Sequence, residues 1–338
     1  MMKFSSGMKK AAAIALAAVM TAGMAGCGST AGSSSTDTIQ TASTAASSTA
    51  SRAAASSASA ASGTAASNAS ASSSMAASKD LSGTVTGSGS SALFPLAQDA
   101  ADAFKALYPN VSITMNAGGS GTGLKQVFDG SVDIGNSDVD ASSKLDAASA
   151  GQLTDHKVCV ISMAPIVNKD ITAAGVKNLT SDQLVSIFTA KITNWKDVGG
   201  PDEDIVLVTR PSTSGTRALF KQYALGGQEE ASNSALETDD SGTLLQSVSS
   251  TNGAIGYVAL SYLVNNSSVD TISIDGVQPT LENTYSGKWK VWGYEHMYTK
   301  GAPNDAAQAY LDYITSDTYG SKMEALGYCV TSKMQVNR

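Results

Sequence analysis

Beyond Lys79 the chain alternates between two hydrophobic rhythms. Residues 83–89, "GTVTGSG", alternate small and β-branched positions as a short strand does, and end in glycine. Residues 90–109 then place Leu93, Leu96, Ala100, Phe104 and Leu107 at helical spacing. The exchange continues to the C-terminus. Strand patterns are expected at 111–118, 133–138, 157–169, 204–210, 253–263 and 269–275, and helical patterns at 122–132, 180–195, 216–225, 304–315 and 320–328. Such βα alternation predicts an α/β fold with largely parallel sheets. No internal repeat stands out.

Neither rhythm is present before Lys79. Lys3, Lys9 and Lys10 precede an apolar run of small residues that stops at Cys27. The run is short for a membrane span and has the layout of an export signal. Met24-Ala25-Gly26-Cys27 resembles a lipobox, so residues 1–26 are expected to be a lipoprotein signal peptide and Cys27 a lipidated N-terminus. An ordinary signal peptide with an incidental cysteine is the alternative. Two hydrophobic anchors on that residue would attach the chain firmly to a membrane. Residues 27–79 are almost entirely Ser, Ala, Thr and Gly. They cannot bury enough apolar surface to offset chain entropy, and are expected to be a disordered tether. A flexible chain of that length spans roughly 40 Å. The expected location is therefore the extracellular face of a cell membrane, with the module held clear of the lipid.

Charge and rare residues narrow the chemistry. The 338-residue chain has a formal net charge of −7, which argues against nucleic acid or an anionic lipid surface as partner. An anion would have to be held by local dipoles and hydrogen bonds. Cys159 and Cys329 sit in apolar surroundings and are expected to be buried thiols, with a disulfide the alternative for an exported protein. His156 and His296 stand far apart without acidic or cysteine companions at ligand spacing, so no metal site and no cofactor is expected.

Small polar residues gather where strands give way to helices. "GSGSS" (87–91), "GGSGTG" (118–123) and "PSTSGT" (211–216) each occupy such a junction. In open α/β sheets, ligands bind beyond the carboxyl ends of the strands, where helix N-termini present free N–H groups and a positive dipole end. Arg210 precedes the third junction. Three such turns aimed at one point, with one arginine and Asp138, suit a compact oxyanion. The "GGSGTG" loop lacks the G-x-G-x-x-G spacing of a dinucleotide site, and none of the loop serines has the G-x-S-x-G frame of a serine hydrolase, so an enzyme is not expected.

These residues resemble the PstS-type phosphate-binding proteins, the substrate receptors of bacterial ABC phosphate importers. The likeness runs from Leu81 to the C-terminus. It is carried by Arg210 followed by Ser214-Gly215-Thr216, by "GGSGTGLKQV", "DIGNSD", "ITNWKDVGG" and "GAIGYVAL", and more loosely by "GSGSSALFPL". The resemblance implies a type II periplasmic-binding-protein-like fold of two α/β lobes joined by two crossing hinge segments, with the ligand in the cleft. Lobe I would comprise 80–162 plus 257–338 and lobe II 163–256, the crossings lying near 159–165 and 253–259. It implies a phosphate pocket in which Ser90, Ser91, the backbone around Ala92 and Leu93, and Ser120 donate from one lobe. Arg210, Ser214, Gly215 and Thr216 donate from the other, and Asp138 accepts. Arg217 would be a rim cation or a solvated helix residue. The family often carries a carboxylate between the arginine and the Ser-Gly-Thr element, where this chain has Pro211, Ser212 and Thr213. Phosphate keeps a proton at neutral pH that a buried carboxylate can accept, whereas sulfate would meet Asp138 as an unrelieved like charge. The expected function is phosphate capture and delivery to an ABC permease by a monomer. A receptor for sulfate or molybdate, or a sensing or adhesive lipoprotein, is the alternative.

Overall fold

Strand and helix alternate from Gly83 onward, as the hydrophobic rhythm predicts. The structure is a computed structural model that describes residues 80–232 and 235–338. The expected signal segment 1–26, Cys27 and the tether to residue 79 lie outside the described residues.

β1 (Gly83–Ser90) leads into α1 (Phe94–Leu107), and β2 (Val111–Gly118) into α2 (Ser120–Phe128). β3 (Ile134–Ser137) and the short α3 (Ala147–Ala150) follow. β4 (Leu153–Val167) is a single 15-residue strand. After it come α4 (Lys169–Ala173), β5 (Asn178–Leu179), α5 (Ser181–Phe188), β6 (Val206–Thr209), α6 (Gly215–Tyr223), β7 (Ala235–Glu237), α7 (Ser241–Ser250) and β8 (Ala254–Ala259). The chain closes with β9 (Asp270–Thr271), β10 (Ser273–Ile274), α8 (Leu281–Tyr285), β11 (Trp292–Lys300), α9 (Asp305–Ile314) and α10 (Asp317–Met323).

Local signals account for most of these boundaries. Thr180 and Gln183 form a reciprocal capping box at α5, and Asn304 and Ser316 cap α9 and α10; such caps contribute about 1 kcal/mol each. The helical pattern expected to run to Trp195 stops at Phe188. Thr189 turns its hydroxyl back onto the Val185 carbonyl at 2.8 Å, and Ala190 takes a left-handed φ of 55°. Trp195 is then wholly buried, its indole N–H donating to the Gly253 carbonyl at 2.9 Å.

One sheet runs in the order β2-β1-β3-β11-β4-β8-β6-β7, with β9 also on β4. β1, β2 and β3 are parallel, as are β6, β7 and β8. The expectation of largely parallel sheets fails at the centre. There β11 is antiparallel to β3 and β4, and β4 is antiparallel to β8. The reason is topological: a strand that leaves one parallel group and another that returns must run in opposite directions. β4 changes partner along its length, pairing with β11 from Leu153 to Ser162 and with β8 from Met163 to Val167. Residues 254–259, within the stretch expected to hold the second crossing, form β8, which is buried throughout and paired with β4 and β6.

Each parallel group has its own core. Leu96, Ala100, Phe104, Tyr310 and Tyr319 pack beside β1 and β2. Phe188, Trp195, Phe220, Tyr257 and Trp289 pack beside β6 and β8, with the Phe220 and Tyr257 rings stacked at 4.1 Å. Burying one such side chain contributes about 1.5–3 kcal/mol. These cores are what hold the strand ends of the two groups rigid. Cys159 and Cys329 are both buried and both free thiols.

Candidate functional site

The parallel register brings the first group of strand ends together. Ser90 pairs with Gly118 and Gly89 with Asn136, so the residues that follow β1, β2 and β3 emerge side by side. These are Ser91, Ser120 and Asp138. From the other group come Arg210, which follows β6, and the first turns of α6 and α7.

Two hydrogen-bonded knots tie the groups to each other. In the first, Arg210 donates to the Ser241 hydroxyl at 3.0 Å, to the Ser91 hydroxyl at 3.3 Å and to the Asp239 carbonyl at 2.6 Å. Ser91 and Ser241 share a further hydroxyl–hydroxyl bond at 3.0 Å. In the second, Thr216 donates to Asp138 Oδ2 at 2.8 Å, and the Asp138 N–H donates to the Ser120 hydroxyl at 3.0 Å. Gly215 lies against this knot so closely that a Cβ there would stand 2.9 Å from Asp138 Cβ. Lys144 adds a third tie, donating to the Ser212 carbonyl at 2.7 Å and the Ser214 carbonyl at 3.2 Å. Burial holds its ammonium below the usual lysine range.

The charge balance is unusual for a protein interior. Arg210 is 1% exposed. Among the described residues no carboxylate lies within ion-pair distance of it, and its Nε has no partner. A buried cation normally has a charged partner. The helix starts are also left electrically open. α1, α2 and α6 carry no acidic residue at the cap or in the first turn. By contrast α4, α5, α8, α9 and α10 carry Asp170, Asp182, Glu282, Asp305 and Asp317 there. The only carboxylate in the knots is Asp138, 1% exposed, whose Oδ1 has no partner. A site with positive helix ends, one unpaired arginine, several hydroxyls and one acceptor carboxylate is built to hold a small oxyanion that carries a proton. Among the described residues no group of His, Cys, Asp or Glu could hold a metal ion.

The structure brings Ser91, Ser120, Asp138, Arg210, Gly215 and Thr216 together. Ser90, Ala92 and Leu93 are buried beside them, but the Leu93 N–H already donates to the Ser90 hydroxyl at 2.9 Å. Leu93 thus keeps no free backbone donor for a ligand, contrary to the expectation, because Ser90 caps that turn. The Ser214 hydroxyl accepts from the Arg217 N–H at 3.2 Å as the α6 cap and keeps its own proton to give. Arg217 is neither a rim cation nor solvated. Its side chain is 14% exposed, donates to the Arg210 carbonyl and lies 3.6–3.8 Å from Glu229, Glu230 and Glu237. His296 bonds Asp155 and His156 bonds Thr299, both as cross-strand structural pairs.

Two residues of the site escaped the sequence reading. Ser241 opens α7, a helix with few apolar positions that periodicity does not reveal. Its signal is the tripeptide Ser241-Gly242-Thr243 after Asp240, which repeats Ser120-Gly121-Thr122 and Ser214-Gly215-Thr216 at the other helix starts; Ser82-Gly83-Thr84, by contrast, opens a strand. The other is Glu295 of β11, wholly buried near Asp138. Burial, then the charge of Asp138, pushes its carboxyl well above the usual range. Nothing local in the sequence marks it.

Known proteins share this architecture. The family model described as "PBP superfamily domain" matches residues 74–318. The chain is 47% identical over 258 residues to the phosphate-binding protein PstS of Bacillus subtilis (strain 168), covering 76% of this chain and 84% of that one. It is 29% identical over 247 residues to the phosphate-binding protein PstS of Pseudomonas aeruginosa, covering 66% of this chain and 74% of that one. Among solved structures, a candidate phosphate ABC transporter substrate-binding protein from Clostridium perfringens, crystallised with bound phosphate, superposes with a TM-score of 0.67. It is 31% identical, with 74% of this chain and 100% of that chain covered. A phosphate transport receptor from Vibrio cholerae, 24% identical, superposes with a TM-score of 0.58 over 73% of this chain and 99% of that one, and so shares the fold.

Proposed function

Because the chain belongs to the PstS-type phosphate-binding proteins of the PBP superfamily, we propose that it captures inorganic phosphate between its two strand groups and delivers it to an ABC import permease. The observation that carries this reading is Arg210, buried and without a carboxylate partner, in a knot that ties the first group of strand ends to the second. An arginine in that state is complete only with an anion. Asp138 selects the anion: it accepts the proton that phosphate keeps and repels sulfate. Ser90, Ser91, Ser120 and Ser214 supply hydroxyl donors, Thr216 holds Asp138 through its own hydroxyl and offers the ligand its backbone, and the backbone at Ala92 and Gly215 supplies helix-start N–H groups.

The two strand groups act as lobes. The first crossing is the Ser162/Met163 changeover in β4 and the second lies near Lys290–Trp292, where the Met163 N–H donates to the Val291 carbonyl at 2.9 Å. Lobe II then runs from Met163 to Val291. Closure around phosphate desolvates the ion, and docking on the permease reopens the cleft. The protein performs no chemistry on its ligand, acts as a monomer, and is held on the extracellular face of the membrane by lipid on Cys27.

Calorimetric titration of the ligand-stripped full chain tests this. Tight one-to-one phosphate binding without sulfate heat is expected; Asp138→Asn should bind sulfate at least about 10-fold more tightly than the wild type does, by removing a buried like charge. Equal affinity of the wild type for the two anions would overturn the assignment.

A further inference from the structure

Glu295 is a buried acid for which the phosphate-binding scheme above has no use. It is 0% exposed, and neither of its oxygens has a partner among the described residues. The β3–β11 register pairs Met297 with Asn136 and His296 with Ser137, so Glu295, the next residue of β11, lies beside the point where the chain leaves β3 at Asp138, which is its charged neighbour. Asp138 keeps Oδ1 unpaired on its own side. The side-chain hydrogen bond open to Glu295 is to Asp138. The other groups around the pair are Cys159, opposite Glu295 on β4, Tyr328 on the C-terminal segment, and Lys144 and Tyr262 on the Asp138 side. The Tyr328 hydroxyl is committed to the Ala92 carbonyl at 2.6 Å and the Tyr262 hydroxyl to the Ser91 carbonyl at 2.6 Å. The Lys144 ammonium is committed to loop carbonyls. None of them supplies a cation or a free hydroxyl to Glu295.

We propose that Glu295 is a positioning residue of the phosphate site: as a neutral carboxylic acid it donates to Asp138 Oδ1 and holds that carboxylate, ionised and oriented, as acceptor for the proton of the ligand. A carboxylate offers about four acceptor positions, so Thr216 and Glu295 each take one and leave room for the ligand. The pair carries one proton and one negative charge. Two ionised carboxylates buried side by side would repel each other and the anion alike. The neutral state of Glu295 follows from its burial and its neighbour, and the role depends on the phosphate reading of Asp138.

Glu295→Gln and Glu295→Leu, compared with the wild-type full chain by phosphate calorimetry and thermal melting, test this. Glutamine keeps a donor and is expected to bind phosphate within about threefold of wild type. Leucine removes the donor, leaves Asp138 Oδ1 orphaned, and is expected to weaken phosphate about 10- to 100-fold and to melt below wild type. A residue that only filled space would show the reverse, with leucine binding normally and glutamine destabilised. Wild-type affinity in Glu295→Leu, or equal weakening in both variants, overturns the inference while leaving the phosphate site standing. Failure of the wild type to bind phosphate at all overturns both. Should Glu295→Leu not fold, infrared spectroscopy of the wild type at pH 7 decides. A protonated-carboxyl band that Glu295→Gln removes supports the role, and its absence overturns it.

Discussion

Between Arg210 and Ser214 the chain carries no carboxylate, and the structure shows what orients the guanidinium. Pro211, Ser212 and Thr213 carry no charge, so the guanidinium is oriented by the Ser91 and Ser241 hydroxyls and the Asp239 carbonyl. Neutral acceptors aim the arginine without cancelling its charge. Arg210→Ala should therefore lower phosphate affinity by at least about 100-fold, since it removes a charged donor from a buried site. Ser241→Ala removes an orienting acceptor only and should weaken binding about 5- to 10-fold. Calorimetry separates the two. Gly215 is constrained by space. Its missing side chain lets α6 press on Ser120 and Asp138. Gly215→Ala should force the knot apart and weaken phosphate by about 1–3 kcal/mol, the usual range for overpacking, with little change in far-UV circular dichroism.

Beyond the single residue, α6 is anchored at its outer side by an acidic cluster. Arg217 joins the Arg210 backbone to Glu229, Glu230 and Glu237. Glu230 is 5% exposed, and burial outweighs the neighbouring Tyr257 hydroxyl and the nearby arginines, pushing its carboxyl from 4.5 up to about 7. The folded state thus holds a proton that the unfolded chain releases near its ordinary value. The stabilisation linked to it is full below about pH 4.5 and is lost as pH rises through about 7, at most about 3 kcal/mol in all. Urea midpoints should fall across that window in the wild type and flatten there in Glu230→Gln. A wild-type midpoint that rises from pH 4.5 to 7 would show that other groups dominate. α7 contributes through its start: Asp240 accepts from the Thr243 N–H at 2.9 Å. That cap sets Ser241 against Arg210, so an element with a weak hydrophobic pattern still has a defined position.

For the molecule as a whole, ties between the two strand groups run through or beside the residues proposed to hold phosphate. Ser91 to Ser241, Asp138 to Thr216 and the Gly121 N–H to the Thr213 carbonyl all link one group to the other. A ligand that completes these knots binds the closed, folded form alone. Phosphate at about 100 times its dissociation constant should raise the unfolding free energy by about 2.7 kcal/mol, and differential scanning calorimetry should show the melt moving upward with phosphate concentration. A melt insensitive to phosphate would contradict binding coupled to closure.

The polar turns at 87–91, 118–123 and 211–216, Arg210 before its helix, and the cap residues were open to reading in one dimension, because capping, helix dipoles and glycine turns depend on neighbours a few residues apart. So were most strands and helices, wherever one face is apolar and the other wet. β11 was not: it is buried on both faces except at Tyr294 and its end, which erases the alternation, and its Glu295, His296 and Thr299 read as surface residues. The antiparallel centre, the changeover inside β4 and the meeting of residues 138 and 295 likewise had no local signature. They arise from strand pairing between segments distant in the chain, and only packing two cores around one shared sheet selects that pairing.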